Sequence, residues 1–148
     1  MDRKHATTLV MEAKQKLGVS WKDLAEAVGQ SPVWTTAALL GQMSMSAAEA
    51  KAAGALLKLD DEAIAALQTV PTRGCLEQQA VPTDPLIYRF YEIVQVYGTT
   101  LKSLIEEEFG DGIMSAIDFT MDIKRIPDPK GDRVQVTLNG KFLPYKRY

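Results

Sequence analysis

Arg89 and Glu92 lie three residues apart, and Ser115 follows a glycine-punctuated stretch in the run Pro82–Phe119, PTDPLIYRFYEIVQVYGTTLKSLIEEEFGDGIMSAIDF. At i, i+3 a cation and a carboxylate project from one helix face. Around them stand Tyr88, Phe90, Tyr91, Ile93 and Val96, an unusually aromatic setting for a solvent face. Two readings are open. An exposed intrahelical ion pair contributes about 0.3–0.5 kcal/mol and implies no function. Alternatively, Arg89 forks onto a small planar anion while Glu92 aligns it or handles a proton. Ser115 likewise reads either as a turn or strand-entry hydroxyl bonded to backbone, or as an anion donor helped by backbone amides of the Gly110-Asp111-Gly112 turn.

Other chemistries are poorly supplied. The single histidine, His5, sits near the N-terminus, so Cys–His, Ser–His–Asp and histidine–zinc sites would all depend on it. No G-x-G-x-x-G and no phosphate loop ending in Gly-Lys occurs. No metal or cofactor site is expected. The work falls to Arg, Lys, Asp, Glu, Ser, Thr, Tyr and backbone amides.

The elements that must position these groups fall into two halves with different patterning. In 148 residues, 46% hydrophobic and 24% charged, there is room for one domain or two small ones. The expected division is 1–75, a helical domain, and 76–148, a C-terminal catalytic and dimerisation domain. In the first half Leu9, Val10, Ala13 and Leu17 form an apolar face closed by Gly18. Ser20, Ser31-Pro32, Ser46 and Asp60 or Asp61 then read as N-caps of four further short helices. Within this half, WKDLAEAVGQSPVWTTAALLG resembles the helix-turn-helix of repressor-like domains. Its second helix, PVWTTAALL, carries no Arg, Lys, Asn or Gln, which base-edge readout requires. DNA binding is not expected.

PTRGCLEQQAVPTDP (71–85) reads as a linker, with Gly74 a turn residue and Cys75 a small buried side chain rather than a reactive thiol. Beyond it, Asp84-Pro85 opens a helix through Tyr97 that Gly98 should end, and Thr99 or Thr100 caps a second helix to Gly110. Lys102 supports Glu106 on a solvated face. The alternations around Ile117–Ile123 and Val134–Leu138 predict two strands joined by the PDPKGD loop. Asn139-Gly140 reads as a turn into a third strand. The fold class is therefore α+β: an all-α helix-turn-helix-like bundle plus a small α+β domain. So thin a sheet needs a partner, and an interlocked dimer is expected.

Formal net charge is −2, so no global field draws the chain to nucleic acid or an anionic membrane. MDRKHATTLV lacks an apolar signal core, the apolar runs are too short to span a bilayer, and one cysteine fits a reducing compartment; a cytoplasmic location is expected.

The segment YRFYEIVQVYGTTLKSLIEEEFGDGIMSAIDF, with TAALLGQ, VPTRGC and VPTDPLIYRFYE, resembles the cyanase (cyanate hydratase, cyanate lyase) family along essentially the whole chain. The family's Y-R-F-Y-E and G-D-G-I-x-S-A-I motifs place its catalytic Arg, Glu and Ser on Arg89, Glu92 and Ser115. The resemblance implies a lyase that decomposes cyanate with bicarbonate, through carbamate, to ammonia and carbon dioxide without a cofactor. It also implies a homodecamer, a pentamer of dimers with interface sites, and a repressor-like N-terminal domain without DNA-binding activity. Two other readings compete: a helix-turn-helix transcriptional regulator with a C-terminal oligomerisation domain, and a structural assembly module in which Arg89 and Glu92 are an interface ion pair.

Overall fold

A computed structural model describes residues 1–72 and 81–147. The readings of Gly74 and Cys75 fall outside the described residues. The chain divides into two compact units, Met1–Cys75 and Leu76–Tyr148.

The first unit holds five helices: α1 (Arg3–Leu17), α2 (Trp21–Val28), α3 (Pro32–Leu39), α4 (Ala47–Leu57) and α5 (Asp61–Leu67). Their limits follow from caps. Ser20 and Asp23 form a reciprocal capping box at α2, and Ser46 and Glu49 form another at α4. Gly18 and Gly29 end α1 and α2 in the left-handed region, at φ 66° and 78°. Ser31 caps α3 ahead of Pro32, and Asp60 rather than Asp61 caps α5. Val10, Leu24, Leu39, Leu57 and Leu67 meet in the core with Ala38, Ala50 and Ala53, whose small side chains let the helices approach closely. α3 turns Thr35, Ala38 and Leu39 into this core.

Arg3 ties the unit together at its chain ends. Its Nη1 donates to the Ala66 carbonyl at 3.1 Å, and its Nη2 donates to the carbonyls of Ala38 and of Met43. One guanidinium thus bridges the C-terminal turns of α3 and α5 and the segment after α3, and burial pushes its pKa down. Charge-assisted bonds of this kind are the stronger ones. Arg3→Met should therefore lower the unit's stability by about 2–3 kcal/mol. A urea-unfolding midpoint of the full chain within error of wild type would show that the clamp contributes nothing.

The second unit is one long helix, α6 (Pro85–Phe109), and an antiparallel hairpin of β1 (Gly112–Ile126) and β2 (Arg133–Pro144). The unit departs from expectation at two glycines. Gly98 does not end a helix: α6 runs through it for 25 residues. An interior glycine costs only about 1 kcal/mol relative to Ala, and apolar side chains continue past it at Leu101, Leu104 and Ile105. Asn139-Gly140 is no turn, so the third strand does not exist; both residues lie inside β2, opposite Thr120 and Phe119. The hairpin loop at 127–132 is where the sequence placed it.

α6 buries no residue in this chain. Phe90, Ile93, Val94, Val96, Tyr97, Leu101 and Leu104 are all exposed. At its C-terminal end Phe109 stacks on Phe142, ring centroids 5.2 Å apart, which seats the helix end on the hairpin. Among the described residues no helix is long and apolar enough to cross a membrane.

Candidate functional site

Arg89 and Glu92 lie in the first turns of α6, whose start is fixed by Asp84: its carboxylate accepts the amides of Leu86 and Ile87, both at 2.9 Å. Pro85 occupies the first helical position, where no amide is needed. The Arg89 guanidinium reaches Glu92 with Nη1 3.0 Å from Oε2. Its Nε donates to the Pro85 carbonyl at 3.2 Å, and its carbon lies 5.3 Å from the centre of the Tyr88 ring. A carboxylate, a carbonyl and a ring thus hold one rotamer. The pair is exposed, Arg89 by 61% and Glu92 by 44%, and opens on a shallow groove lined by Ile93, Val96 and Tyr97. Within a single chain the pair is solvent-exposed despite the aromatic residues around it.

Ser115 is the opposite case. It is the one buried residue of the hairpin among those described, at 5% exposure. It belongs to β1, inside a bulge: the ladder steps from Met114 opposite Phe142 to Phe119 opposite Gly140. Lys141 therefore faces Ser115, Ala116, Ile117 and Asp118 together. Ser115 Oγ accepts the amide of Ile117 at 3.0 Å and that of Asp118 at 2.9 Å. The amides beside Ser115 are thus spent on its own hydroxyl and are not free to hold a ligand. They also come from the bulge, not from the Gly110–Gly112 turn.

A hydroxyl has two lone-pair sites and one proton. With both acceptor sites of Oγ engaged, only the O–H remains for a ligand. Ser115 is set up to donate, which suits an anion and does not suit nucleophilic attack.

The structure pairs Arg89 with Glu92 but does not bring Ser115 to them. The groove at Arg89 is walled by α6 alone. Ser115 lies beside Met114, which lines a hollow with Ile105 and Phe109 at the other end of the helix. Between Arg89 and Phe109 run about 30 Å of helix axis. Two of the side-chain pairs expected from spacing form, Arg89 with Glu92 and Lys102 with Glu106. Spacing gave no sign of the bulge amides: the alternation sets Ile117 on the same face as Phe119 and Met121, yet in β1 it is 98% exposed.

Comparisons with known proteins bear on the whole chain. Residues 3–71 match the family described as "Cyanate hydratase, N-terminal", and residues 79–147 match "Cyanate lyase C-terminal domain". The cyanate hydratases of Thiobacillus denitrificans and Dechloromonas aromatica are each 62% identical over 148 residues, covering all of both chains. The crystal structure of the cyanase from T. urticae superposes with a TM-score of 0.81 at 37% identity, covering 94% of this chain and 96% of that one. With both halves matched and full-length relatives at this identity, the chain belongs to the cyanate hydratase (cyanase) family of lyases.

Proposed function

We propose that this chain decomposes cyanate in a bicarbonate-dependent reaction, with Arg89, Glu92 and Ser115 as the groups that act on the two anions. The full-length similarity to cyanate hydratases carries this reading, and the donor-only hydroxyl of Ser115 supports it. A bicarbonate oxygen attacks the cyanate carbon, and the bicarbonate's own proton together with one supplied from outside reaches the nitrogen, giving a carbamoyl carbonate, a dicarbonate-like adduct. The bond between the bridging oxygen and the bicarbonate-derived carbon then breaks, releasing carbon dioxide and leaving carbamate. With a second proton, carbamate separates into ammonia and the second carbon dioxide.

Two like charges must be compensated before they can meet. Arg89 supplies the cation, and its fork matches a planar carboxylate or carbonate. Ser115 donates its O–H to charge developing on the adduct. Glu92 repels anions if left bare; paired with Arg89 it fixes the guanidinium rotamer and is the nearby group able to carry a proton. This chemistry calls for no metal or organic cofactor, bicarbonate being a co-substrate.

One chain holds Arg89 and Ser115 at opposite ends of α6, so in this reading the site is completed by further copies. The exposed apolar length of α6 and a two-stranded hairpin without a core of its own favour such assembly. We place the chain in a homodecamer of five interlocked dimers, in the cytoplasm. The first unit keeps a helix-turn-helix-like plan in α2, Gly29 and α3. DNA contact is not proposed, because α3 carries no basic or amide side chain and turns three residues inward. The deciding experiment incubates the purified chain with cyanate, with and without bicarbonate, and measures ammonia. Ammonia release should require bicarbonate; release that does not depend on it overturns the reading.

A further inference from the structure

Asn139-Gly140 has the composition of a hairpin turn yet runs straight through β2. The need for glycine lies across the ladder. A Cβ on Gly140 would stand 2.3 Å from the Ser115 carbonyl oxygen and 2.6 Å from Met114 Cγ. Met114 can swing its side chain away, but the Ser115 carbonyl is backbone and can only move with its peptide. That peptide leads directly into the bulge whose two amides saturate Ser115 Oγ. The Ser115 segment is therefore pinned from two sides, by its own hydroxyl bonds and by the bare backbone of β2.

We propose that Gly140 is a positioning residue for Ser115: the missing side chain lets β2 close on the Ser115 carbonyl and so fixes where the hydroxyl proton points. The proposal rests on the reading of Ser115 as an anion donor. An added methyl would push the Ser115 peptide off β2, turn the bulge and re-aim the O–H. Small misplacements of a donor of this kind are costly to rate because the reacting groups must already be aligned.

The test compares Gly140→Ala, Ser115→Ala and the double variant in the assembled full chain, reading cyanate turnover at saturating bicarbonate and assembly by sedimentation. Gly140→Ala is expected to lower kcat about ten- to a hundredfold. In a Ser115→Ala background the same change should cost less than about twofold, because its effect runs through the hydroxyl already removed. Multiplying losses in the double variant, or wild-type turnover by Gly140→Ala, would overturn the proposal and leave the Ser115 reading standing. Normal turnover by Ser115→Ala would sink that reading and this proposal with it. Should Gly140→Ala not assemble, Met114→Ala/Gly140→Ala, measured against Met114→Ala, removes the side-chain overlap and keeps the push on the carbonyl. If that variant also fails to assemble, the glycine is structural and the proposal fails.

Discussion

Arg89→Ala is expected to lower bicarbonate-dependent ammonia release by about 10²–10³-fold, the usual loss when one preorganised donor to developing charge is removed. The oligomer should persist. In the isolated chain the Arg89–Glu92 pair is exposed, where such a pair adds only about 0.3–0.5 kcal/mol to a helix, and Asp84 with Pro85 secures the start of α6 independently of it. The loss should thus appear in turnover rather than in unfolding. Arg89→Lys should recover little of it, since an ammonium keeps the charge but not the planar fork that matches a carboxylate or carbonate. Turnover by Arg89→Ala within a few fold of wild type would remove Arg89 from the site. Dissociation of the assembly would point instead to an interface ion pair, the structural reading of the same two residues.

The contrast between Arg89 and Ser115 shows how far local sequence reaches. Helix limits in the first unit were legible because they are set by short-range chemistry: Ser20 with Asp23, Ser46 with Glu49, Gly18 and Gly29 each act within a turn of themselves. The start of α6 was legible for the same reason. Its length was not, since Gly98 is a weak breaker and nothing nearby competes with the helix. Asn139-Gly140 failed more instructively. A strong local turn signal yields when the glycine meets a requirement set across the ladder, the close approach of the Ser115 carbonyl. The site shows the same split. Residue types and the i, i+3 spacing placed Arg89 against Glu92, but the bulge that consumes the Ile117 and Asp118 amides is a property of strand pairing. Within one chain the length of α6 keeps Arg89 far from Ser115, a distance that local spacing could not reveal while Gly98 was read as a helix end.

That distance leads to the prediction with the largest change in signal. Arg89→Ala and Ser115→Ala chains are each expected to be nearly inactive alone. Co-assembled, by joint expression or by refolding a mixture, they should regain activity. If each site takes Arg89 and Glu92 from one copy and Ser115 from another, random pairing in equal amounts gives half mixed pairs. Each mixed pair has one site with both lesions and one with neither, so about a quarter of all sites are wild type. Sites drawing on more copies would give a different fraction, and the dependence on mixing ratio would report how many contribute. If all three residues came from one chain, every site would carry a lesion and mixing would restore nothing. The geometry favours regain: a straight α6 holds Arg89 about 30 Å of helix axis from Phe109, near which Ser115 is buried, and its exposed apolar residues give a second copy a surface to occupy.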